Sequence, residues 1–270
     1  MEADAELASV GVPETDDGML ELRFSNGDPV AVLAAIDAVF QPADMLVARG
    51  AIKVPQLFVS DMDSTMIGQE CIDELADYAG IKPQIAAITE RAMQGELDFE
   101  AALRERVALL EGLDESAIHA CLADRITATP GAKTLVATLA ALGTRTVLVT
   151  GGFHHFADPV AEMLGFHRVV GNRLGVESGR LTGGLVGPIT DSAVKAAVLH
   201  DELADMGKGA RSLAIGDGAN DIPMIQAAQY GFAYRAKPKA RAAANGRIDA
   251  SDLTAVLRLL GVPRGDWREG

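Results

Sequence analysis

The chain has 270 residues, of which 49% are hydrophobic, 23% are charged and 4% are aromatic. This balance is typical of a globular protein with a substantial core, and it excludes the disordered and fibrous classes. Lysine and arginine total 24 against 38 aspartate and glutamate residues, so the formal net charge is −14. Because nucleic acids and anionic membranes are bound through clustered basic residues, we expect neither as a partner.

The sequence also indicates the cellular environment. Its two cysteines, Cys71 and Cys121, lie far apart with no CxxC or Cys/His spacing near either, which disfavours a disulfide framework and a structural zinc site. The N-terminus is acidic where a secretory signal is basic, and no apolar run approaches the roughly 18 residues that a membrane span requires. We therefore expect a cytoplasmic protein. The sequence does not fix the oligomeric state, and a homodimer is one option.

Residues 1–50 predict a small N-terminal appendage, with a strand near 20–24, a helix over 29–40 and a second strand near 45–48. Beyond the appendage, five short apolar runs alternate with longer segments of helical periodicity. These predicted strands are 57–60, 146–149, 168–170, 212–215 and 231–234. Such alternation predicts an α/β fold whose core is a Rossmann-like parallel sheet covered by helices on both faces.

The helices of this core are bounded by recognisable start and stop residues. Pro130 is expected at the first position of one helix, which closes at Gly143. Further helices are expected over 158–164, 192–206, 220–228 and 251–260, and the Gly-rich stretch 172–187 predicts an appended hairpin.

A large insertion separates the first two predicted core strands. The interval from Asp61 to Arg145 is far longer than one crossover connection requires, and only helical patterns occur in it. These patterns cover 70–78, 83–93, 98–111 and 115–123. We therefore predict an appendage at 1–50, an α/β core at 51–68 and 126–270, and a helical cap at 69–125 that lies over the crevice of the sheet.

Two carboxylates follow the first core strand, in the stretch 59–65 (VSDMDST). Alternate residues of an extended chain point the same way, so Asp61 and Asp63 can face one cavity. Because apposed carboxylates repel and are costly to desolvate, their proximity implies a cation or a shared proton. The alternative is that both aspartates only cap the next helix.

A second acidic cluster follows a later strand, in the stretch 214–221 (AIGDGAND). Its glycines do not make the dinucleotide-binding GxGxxG pattern, because Asp221 stands at the third glycine position. Asp217 should lie at the same sheet edge as Asp61. Oxygen ligands from Asp61, Asp63 and Asp217 suit Mg²⁺, and the lack of a nearby histidine or cysteine disfavours zinc.

A candidate anion site follows the second core strand, in the stretch 150–153 (TGGF). Here the Thr150 hydroxyl and the N–H groups of Gly151 and Gly152 can form a nest for a phosphoryl group. Lys195, at the start of a later helix, could reach this nest and neutralise phosphate charge. It could equally be a solvated surface lysine.

The predicted cap carries one acidic and one basic candidate. Asp98 should cap a helix whose apolar stripe places Arg106 beside Phe99. Arg106 could clamp a substrate carboxylate, or it could extend past its apolar neighbours to solvent. Glu70, at the start of the first inserted helix, could bind a substrate ammonium or only complement the helix dipole. Apolar side chains such as those of Met93 and Phe99 more often pack in a core than contact a substrate. Glu70 and Arg106 together offer one negative and one positive group, which complement a zwitterionic amino acid.

In their order along the chain, these motifs resemble those of the haloacid dehalogenase superfamily. The resemblance is carried by 61–65 (DMDST), 150–152 (TGG), Lys195 and 216–221 (GDGAND), and it spans about residues 55–260. The stretch 95–110 (GELDFEAALRERVALL) is similar to the cap of members that act on phosphoserine. The resemblance implies an Mg²⁺-dependent phosphatase that releases L-serine and phosphate from O-phospho-L-serine, the last step of serine biosynthesis.

The resemblance also implies a role for each site residue. Asp61 would be the nucleophile that forms an aspartyl phosphate, and Asp63 would be the general acid and base. Mg²⁺ would be held by the Asp61 carboxylate, the Asp63 backbone carbonyl and Asp217, with Asp221 tuning the site from outside. The substrate would be held by Thr150, Gly151, Lys195 and Asn220 at its phosphoryl group, and by Glu70, Arg106, Met93 and Phe99 at its amino-acid head.

Two other functions stay open. One keeps this mechanism but acts on another small phosphomonoester. The other is a receiver-like signalling module, which also surrounds a phosphorylatable aspartate with acidic residues, a threonine and a lysine. Asp63 argues against a receiver, because an acid/base two residues away would promote loss of the phosphoryl group that a signalling switch must keep. The helical insertion has no purpose in a receiver either.

Overall fold

The computed structural model describes residues 5–11, 18–93 and 96–269. In these ranges the strands are β1 (Leu7–Gly11), β2 (Glu21–Phe24), β3 (Met45–Leu46), β4 (Leu57–Ser60), β5 (Arg145–Phe153), β6 (Arg168–Glu177), β7 (Arg180–Val186), β8 (Ser212–Gly216), β9 (Tyr230–Tyr234) and β10 (Gly246–Ile248). The α-helices are α1 (Pro29–Val39), α2 (Cys71–Tyr78), α3 (Lys82–Met93), α4 (Phe99–Ala108), α5 (Ser116–Arg125), α6 (Ala132–Ala141), α7 (His154–Leu164), α8 (Ser192–Met206), α9 (Ile222–Ala227), α10 (Pro238–Ala243) and α11 (Ala255–Leu259).

Eight of the described strands form the main sheet, in the order β3-β10-β9-β8-β4-β5-β6-β7, and β1 pairs with β2 in a separate sheet. Strands β10, β9, β8, β4, β5 and β6 run parallel, whereas β3 and β7 join the two edges in antiparallel fashion. The predicted fold class is confirmed: this is an α/β fold with a parallel core sheet. The predicted hairpin is also present, as β6 and β7.

The central strand β4 shows why the sheet is covered on both faces. Leu57 and Val59 belong to an apolar cluster with Val198 and Leu199 of α8. Phe58, which points the other way, belongs to a second cluster that includes residues of α6, α7 and α11. Because a parallel strand between two helical layers needs apolar residues at successive positions, the sequence 57–60 (LFVS) favours a central place in the sheet.

The chain leaves β4 at the point where the strand order reverses. Strands β5, β6 and β7 lie on one side of β4, and α8 returns the chain to β8, β9 and β10 on the other side. In open parallel sheets, ligands bind in the crevice at the carboxyl ends of the strands at such a point. The residues at the carboxyl ends of β4, β5 and β8 are therefore placed around one crevice.

Helices α2 to α5 occupy the interval between β4 and β5 that was predicted to be a cap. The far end of this helical segment is bonded to the β6–β7 hairpin: the Gly112 N–H donates to the Leu181 carbonyl at 2.8 Å, and the Leu181 N–H donates to the Leu113 carbonyl at 2.9 Å. The Glu115 N–H adds a bond to the Gly179 carbonyl at 2.9 Å. The hairpin therefore attaches the loop between α4 and α5 to the sheet.

Several predicted boundaries were wrong. Helix α6 begins at Ala132 rather than Pro130, because Gly131 caps it in a left-handed conformation with φ of 82°, and an added Cβ there would lie 2.8 Å from the Thr254 nitrogen. Helix α7 begins at His154 instead of residue 158, and α11 is shorter than the expected 251–260. Strand β1 was not expected. Among the described residues, none of the helices combines the length and apolar character needed to cross a bilayer.

Ion pairs hold the N-terminal helix α1 against α10 and β10, near the β3 edge of the sheet. Asp37 of α1 accepts hydrogen bonds from Arg241 at 2.8 Å and pairs with Arg247 at 2.7 Å. Next along the chain, Asp44 accepts from the N–H groups of Asp249 and Ala250, each at 2.9 Å. The predicted appendage is thus held against α10 and β10, away from the carboxyl end of β4.

Candidate active site

Two aspartates leave the carboxyl end of β4. The Asp61 N–H still donates to the Ile215 carbonyl at 3.0 Å, so Asp61 continues the sheet, whereas Ser64 takes a left-handed φ of 53° that turns the chain away. Asp61 and Asp63 line the same cavity, and the intervening Met62 is buried in the apolar core. This is the alternation that the sequence predicted for the pair.

A second acidic turn follows β8. Asp221 folds back over the turn, and its Oδ2 accepts a hydrogen bond from the Gly218 N–H at 3.0 Å. A Cβ at Gly216 would lie 2.4 Å from the Asp221 Cγ, so glycine is required for this close approach. The turn brings Asp217 into the cavity that Asp61 lines.

Three carboxylates and one lysine meet below the cavity. Asp61, Asp217 and Asp221 each offer an oxygen atom, and these atoms all lie within 4.8 Å of one another. The Lys195 Nζ donates to Asp61 Oδ1 at 2.6 Å and to Asp221 Oδ1 at 2.7 Å, with the lysine side chain only 1% exposed. Burial and the nearby Asp221 carboxylate raise the pKa of Asp61 well above its ordinary value. Burial lowers the pKa of Lys195, but the two carboxylates outweigh it and leave that pKa above its usual range.

This donor set fits a hard divalent cation. Burial and Asp221 raise the pKa of Asp217 to about 6, because desolvation and the neighbouring carboxylate outweigh the nearby ammonium groups of Lys237 and Lys195. All three side chains are oxygen donors, which are the ligands that Mg²⁺ and similar ions take. Asp221 lies in the cluster itself, although it was expected outside the ligand set, and the side chain of Asp63 does not belong to the cluster.

Asp63 has a different environment from Asp61. Its Oδ1 is buried and has no hydrogen-bond partner among the described residues. Burial and the nearby Glu70 carboxylate raise the pKa of Asp63 to about 7. A carboxyl group with such a pKa can hold a proton near neutral pH, which a general acid must do.

The predicted phosphoryl nest lies at the end of β5. The Gly152 N–H donates to the Thr150 Oγ1 at 2.8 Å. Space around the nest is tight: a Cβ at Gly152 would lie 3.2 Å from Asp63 Oδ2, and a Cβ at Gly151 would lie 3.4 Å from the Phe99 ring. The two glycines therefore allow both the acid and the roof of the cavity to approach the same backbone.

A residue that sequence reasoning missed fixes this nest in place. Asn172 of β6 is 1% exposed, and its Nδ2 donates to the Gly151 carbonyl at 2.7 Å. Its Oδ1 accepts from the Thr190 N–H at 2.8 Å. Asn172 thus joins the nest to the loop that leads into α8, the helix that carries Lys195.

The roof of the cavity comes from α2 and α4. Glu70 does not cap α2 through its side chain and accepts instead from the Ser64 Oγ at 2.7 Å. As predicted, Asp98 caps α4, accepting from the Ala101 N–H at 2.7 Å. Phe99 and Arg106 of the same helix line the cavity together with Glu70. Met93 ends α3, but its side chain lies outside the described residues, so its expected place in the roof stays a prediction.

Floor and roof enclose a cavity of about 130 Å³. Asp61, Asp63, Glu70, Phe99, Arg106, Thr150, Gly151, Asp217 and Asn220 line it, as do the unpredicted Ile72, Leu103 and Lys237. Asn172 and Lys237 follow the predicted strands 168–170 and 231–234. Residues that follow parallel strands lie at the carboxyl edge of the sheet, which is how Asp61 was placed there. The same reasoning could have identified Asn172 and Lys237.

The parallel sheet, the two acidic turns, the nest and the buried lysine define a class of protein. The family model of haloacid dehalogenase-like hydrolases matches residues 58–226, and the chain belongs to this family. Members of this family that act as phosphatases generally use a divalent metal, with which the acidic cluster is compatible.

Comparison with individual relatives shows which members of the family this chain is similar to. The chain is 41% identical over 240 residues to a phosphoserine phosphatase of Streptomyces coelicolor, a match that covers 88% of this chain and 58% of the relative. It is 46% identical over 209 residues to a phosphoserine phosphatase of Streptococcus thermophilus, with 77% and 97% covered. The solved structure of a phospho-aspartyl intermediate analogue of phosphoserine phosphatase superposes with a TM-score of 0.68 at 36% identity, covering 76% of this chain and 99% of that one. The resemblance drawn from the motifs is confirmed.

Proposed function

We propose that this chain is an Mg²⁺-dependent phosphatase that hydrolyses O-phospho-L-serine to L-serine and phosphate, the last step of serine biosynthesis. One observation carries the proposal: Asp61, from the carboxylate cluster, and the separate acid Asp63 face one cavity, whose floor ends in a phosphoryl nest and whose roof holds Glu70 and Arg106. The named relatives support the same activity.

The reaction proceeds in two displacements. In the first, an Asp61 carboxylate oxygen forms a bond to phosphorus, the bond between phosphorus and the serine oxygen breaks, and Asp63 donates its proton to that oxygen. In the second, Asp63 takes a proton from water as the water oxygen bonds to phosphorus and the aspartyl–phosphorus bond breaks. Phosphate leaves and both aspartates return to their starting state.

The floor residues prepare Asp61 for attack. Lys195 holds one Asp61 oxygen at 2.6 Å and favours the ionised carboxylate against burial. Thr150, Gly151 and Asn220 offer a hydroxyl, a backbone N–H and an amide to the phosphoryl oxygens. When bound by Asp61, Asp217 and Asp221 with the Asp63 carbonyl, Mg²⁺ supplies the positive charge that lets a carboxylate approach a phosphate ester.

The roof residues select the substrate. Arg106 presents a guanidinium that can bind the serine carboxylate in bidentate fashion, and Glu70 can accept hydrogen bonds from the ammonium group. Phe99 covers the nest from above, since a Cβ added at Gly151 would lie 3.4 Å from its ring. The family resemblance would add Met93 to the same cover. A phosphate ester without an amino-acid head leaves both charges unpaired.

A phosphate-release assay over a small panel tests the proposal. Phosphoserine, phosphoethanolamine and glycerol phosphate are compared with and without Mg²⁺, and the chelated enzyme serves as control. We expect the highest kcat/KM for phosphoserine and a loss of turnover on chelation. A preference for glycerol phosphate would assign the site to another small phosphomonoester, and the absence of turnover on all three would contradict a phosphatase.

The proposal also covers the domain boundaries and the cellular location of the enzyme. We propose that residues 69–125 form the cap. We also propose that the enzyme is cytoplasmic, because the reducing conditions there suit the buried free thiols of Cys71 and Cys121. Light scattering of the purified chain decides between a monomer and the homodimer.

A further inference from the structure

Lys237 is an exposed cation on the core side of the active-site cavity. Its Nζ lies 3.9 Å from Asp217 Oδ2, and its side chain is 68% exposed. The only other cationic side chain among the described lining residues is Arg106, which belongs to the roof. Lys195, although close, is buried and occupied by Asp61 and Asp221.

The backbone of Lys237 is held by hydrogen bonding, whereas its side chain is largely exposed. The Lys237 N–H donates to the Asp217 carbonyl at 3.0 Å, and Pro238 follows it as the first residue of α10. Two residues earlier, Arg235 has a left-handed φ of 43°, and its N–H donates to the Ile248 carbonyl at 2.9 Å. The long side chain therefore starts from a defined point beside the acidic turn and can swing into the cavity mouth.

Lys237 is a positively charged side chain in a strongly negative environment. The chain has a formal net charge of −14, and four carboxylates line the cavity, those of Asp61, Asp63, Glu70 and Asp217. A phosphomonoester dianion must enter against this field, and an exposed cation at the mouth lowers the barrier to its approach. Because Lys237 sits beside Asp217 on the floor, it meets the phosphoryl end of the substrate, whereas Arg106 meets the head group.

We propose that Lys237 is a substrate-recruiting residue whose ammonium group contacts the phosphoryl group as the ester enters and the phosphate ion as it leaves. The inference rests on the proposed phosphatase function and extends it to a residue outside the predicted site. It differs from a structural role, because the Lys237 backbone bond to Asp217 does not need the ammonium group.

The test compares Lys237→Gln with Lys239→Gln, an exposed lysine of α10 outside the cavity lining that gives the same change in net charge. We expect Lys237→Gln to lower kcat/KM for phosphoserine by about five- to tenfold, mainly through KM, and Lys239→Gln to change it by less than about twofold. The wild-type kcat/KM should fall with added salt more steeply than that of Lys237→Gln. Lys237→Arg should restore most of the loss.

Two further arms identify the group that Lys237 contacts. Phosphoethanolamine, which lacks the carboxylate, should lose the same factor as phosphoserine in Lys237→Gln, and calorimetric binding of inorganic phosphate should weaken by a similar factor. Equal kinetics, salt dependence and phosphate binding in the two glutamine variants would overturn the inference, and so would a loss confined to phosphoserine. If the wild-type chain does not hydrolyse phosphoserine, the proposed function fails, while phosphate binding still decides the role of Lys237.

Discussion

The floor and the roof of the cavity are built in opposite ways. On the floor, the buried Asp61 and Asp221 both accept hydrogen bonds from the buried Lys195 before any substrate arrives. In the roof, Phe99 is 41% exposed, and the Arg106 Nε donates to the Ala102 carbonyl of its own helix at 3.2 Å. The floor is organised for chemistry in advance, whereas the roof is completed by the substrate. Variants of the buried, hydrogen-bonded floor residues should therefore change kcat, and roof variants should change KM.

The largest effect is expected at the nucleophile. Asp61→Asn should lower kcat by at least about 10³-fold, because an amide cannot form the acyl phosphate. The folded state should not lose stability, since the substitution removes one of several crowded carboxylates and leaves Lys195 paired with Asp221. Phosphate release and thermal unfolding measure the two parts, with Asp201→Asn on the exposed side of α8 as the control. Unchanged phosphate release would remove Asp61 from the mechanism.

The roof gives a smaller and selective effect. Arg106→Ala should lower kcat/KM for phosphoserine by roughly 30- to 100-fold, mostly in KM, because a bidentate charged contact is lost. The loss on phosphoethanolamine, which has no carboxylate, should stay within about threefold. Arg104→Ala is the matched control, since Arg104 lies on the same helix, is exposed and pairs with Glu100 at 2.8 Å. Equal losses on both substrates would make Arg106 a structural residue.

A still smaller effect is expected at Asn172, whose side chain holds the phosphoryl nest in place. Asn172→Ala removes the bonds to Gly151 and Thr190, and should lower kcat about tenfold with little change in KM. It should also lower the free energy of unfolding by about 1–3 kcal/mol, because buried partners are left unsatisfied. Kinetics and urea unfolding are compared in one preparation. A less stable enzyme with full kcat would show that Asn172 supports the fold and not the nest.

The smallest effect on activity is expected at the N-terminal helix α1, which belongs to neither the floor nor the roof of the cavity. Hydrogen bonds from Arg241, with Arg247 nearby, hold the pKa of Asp37 well below its ordinary value of 3.8. A lowered pKa adds stability that is present above about pH 4 and is lost as the pH falls below it. Asp37→Asn should cost about 1–2 kcal/mol of unfolding free energy at pH 7 and progressively less towards pH 3, with kcat unchanged. A gap between the two proteins that stays constant with pH would contradict this.

Sequence patterns predicted the features that depend on periodicity and on strand ends. The run 57–60 indicates a buried central strand, and Asp61, Thr150 and Asp217 could be placed at one edge because parallel strands end together. The pairing of Lys195 with Asp61 and Asp221 could not be predicted, because it depends on how deeply α8 packs against the sheet. The start of α6 was misjudged because a contact with the distant residue Thr254 selects glycine at 131.

In the proposed mechanism, Asp61 carries the phosphoryl group between the two displacements. Asp63→Asn removes the proton donor of the first displacement and the base of the second. The second should slow more, because water attacks phosphorus poorly unless a base takes its proton, so that the intermediate accumulates. This variant is mixed with phosphoserine labelled at phosphorus, quenched in acid and digested, and the labelled peptide is sequenced. We predict label on the peptide that contains Asp61, and none when Asp61 is also replaced by asparagine. Label on a different residue, or turnover with no labelled protein, would show that Asp61 is not the residue that carries the phosphoryl group.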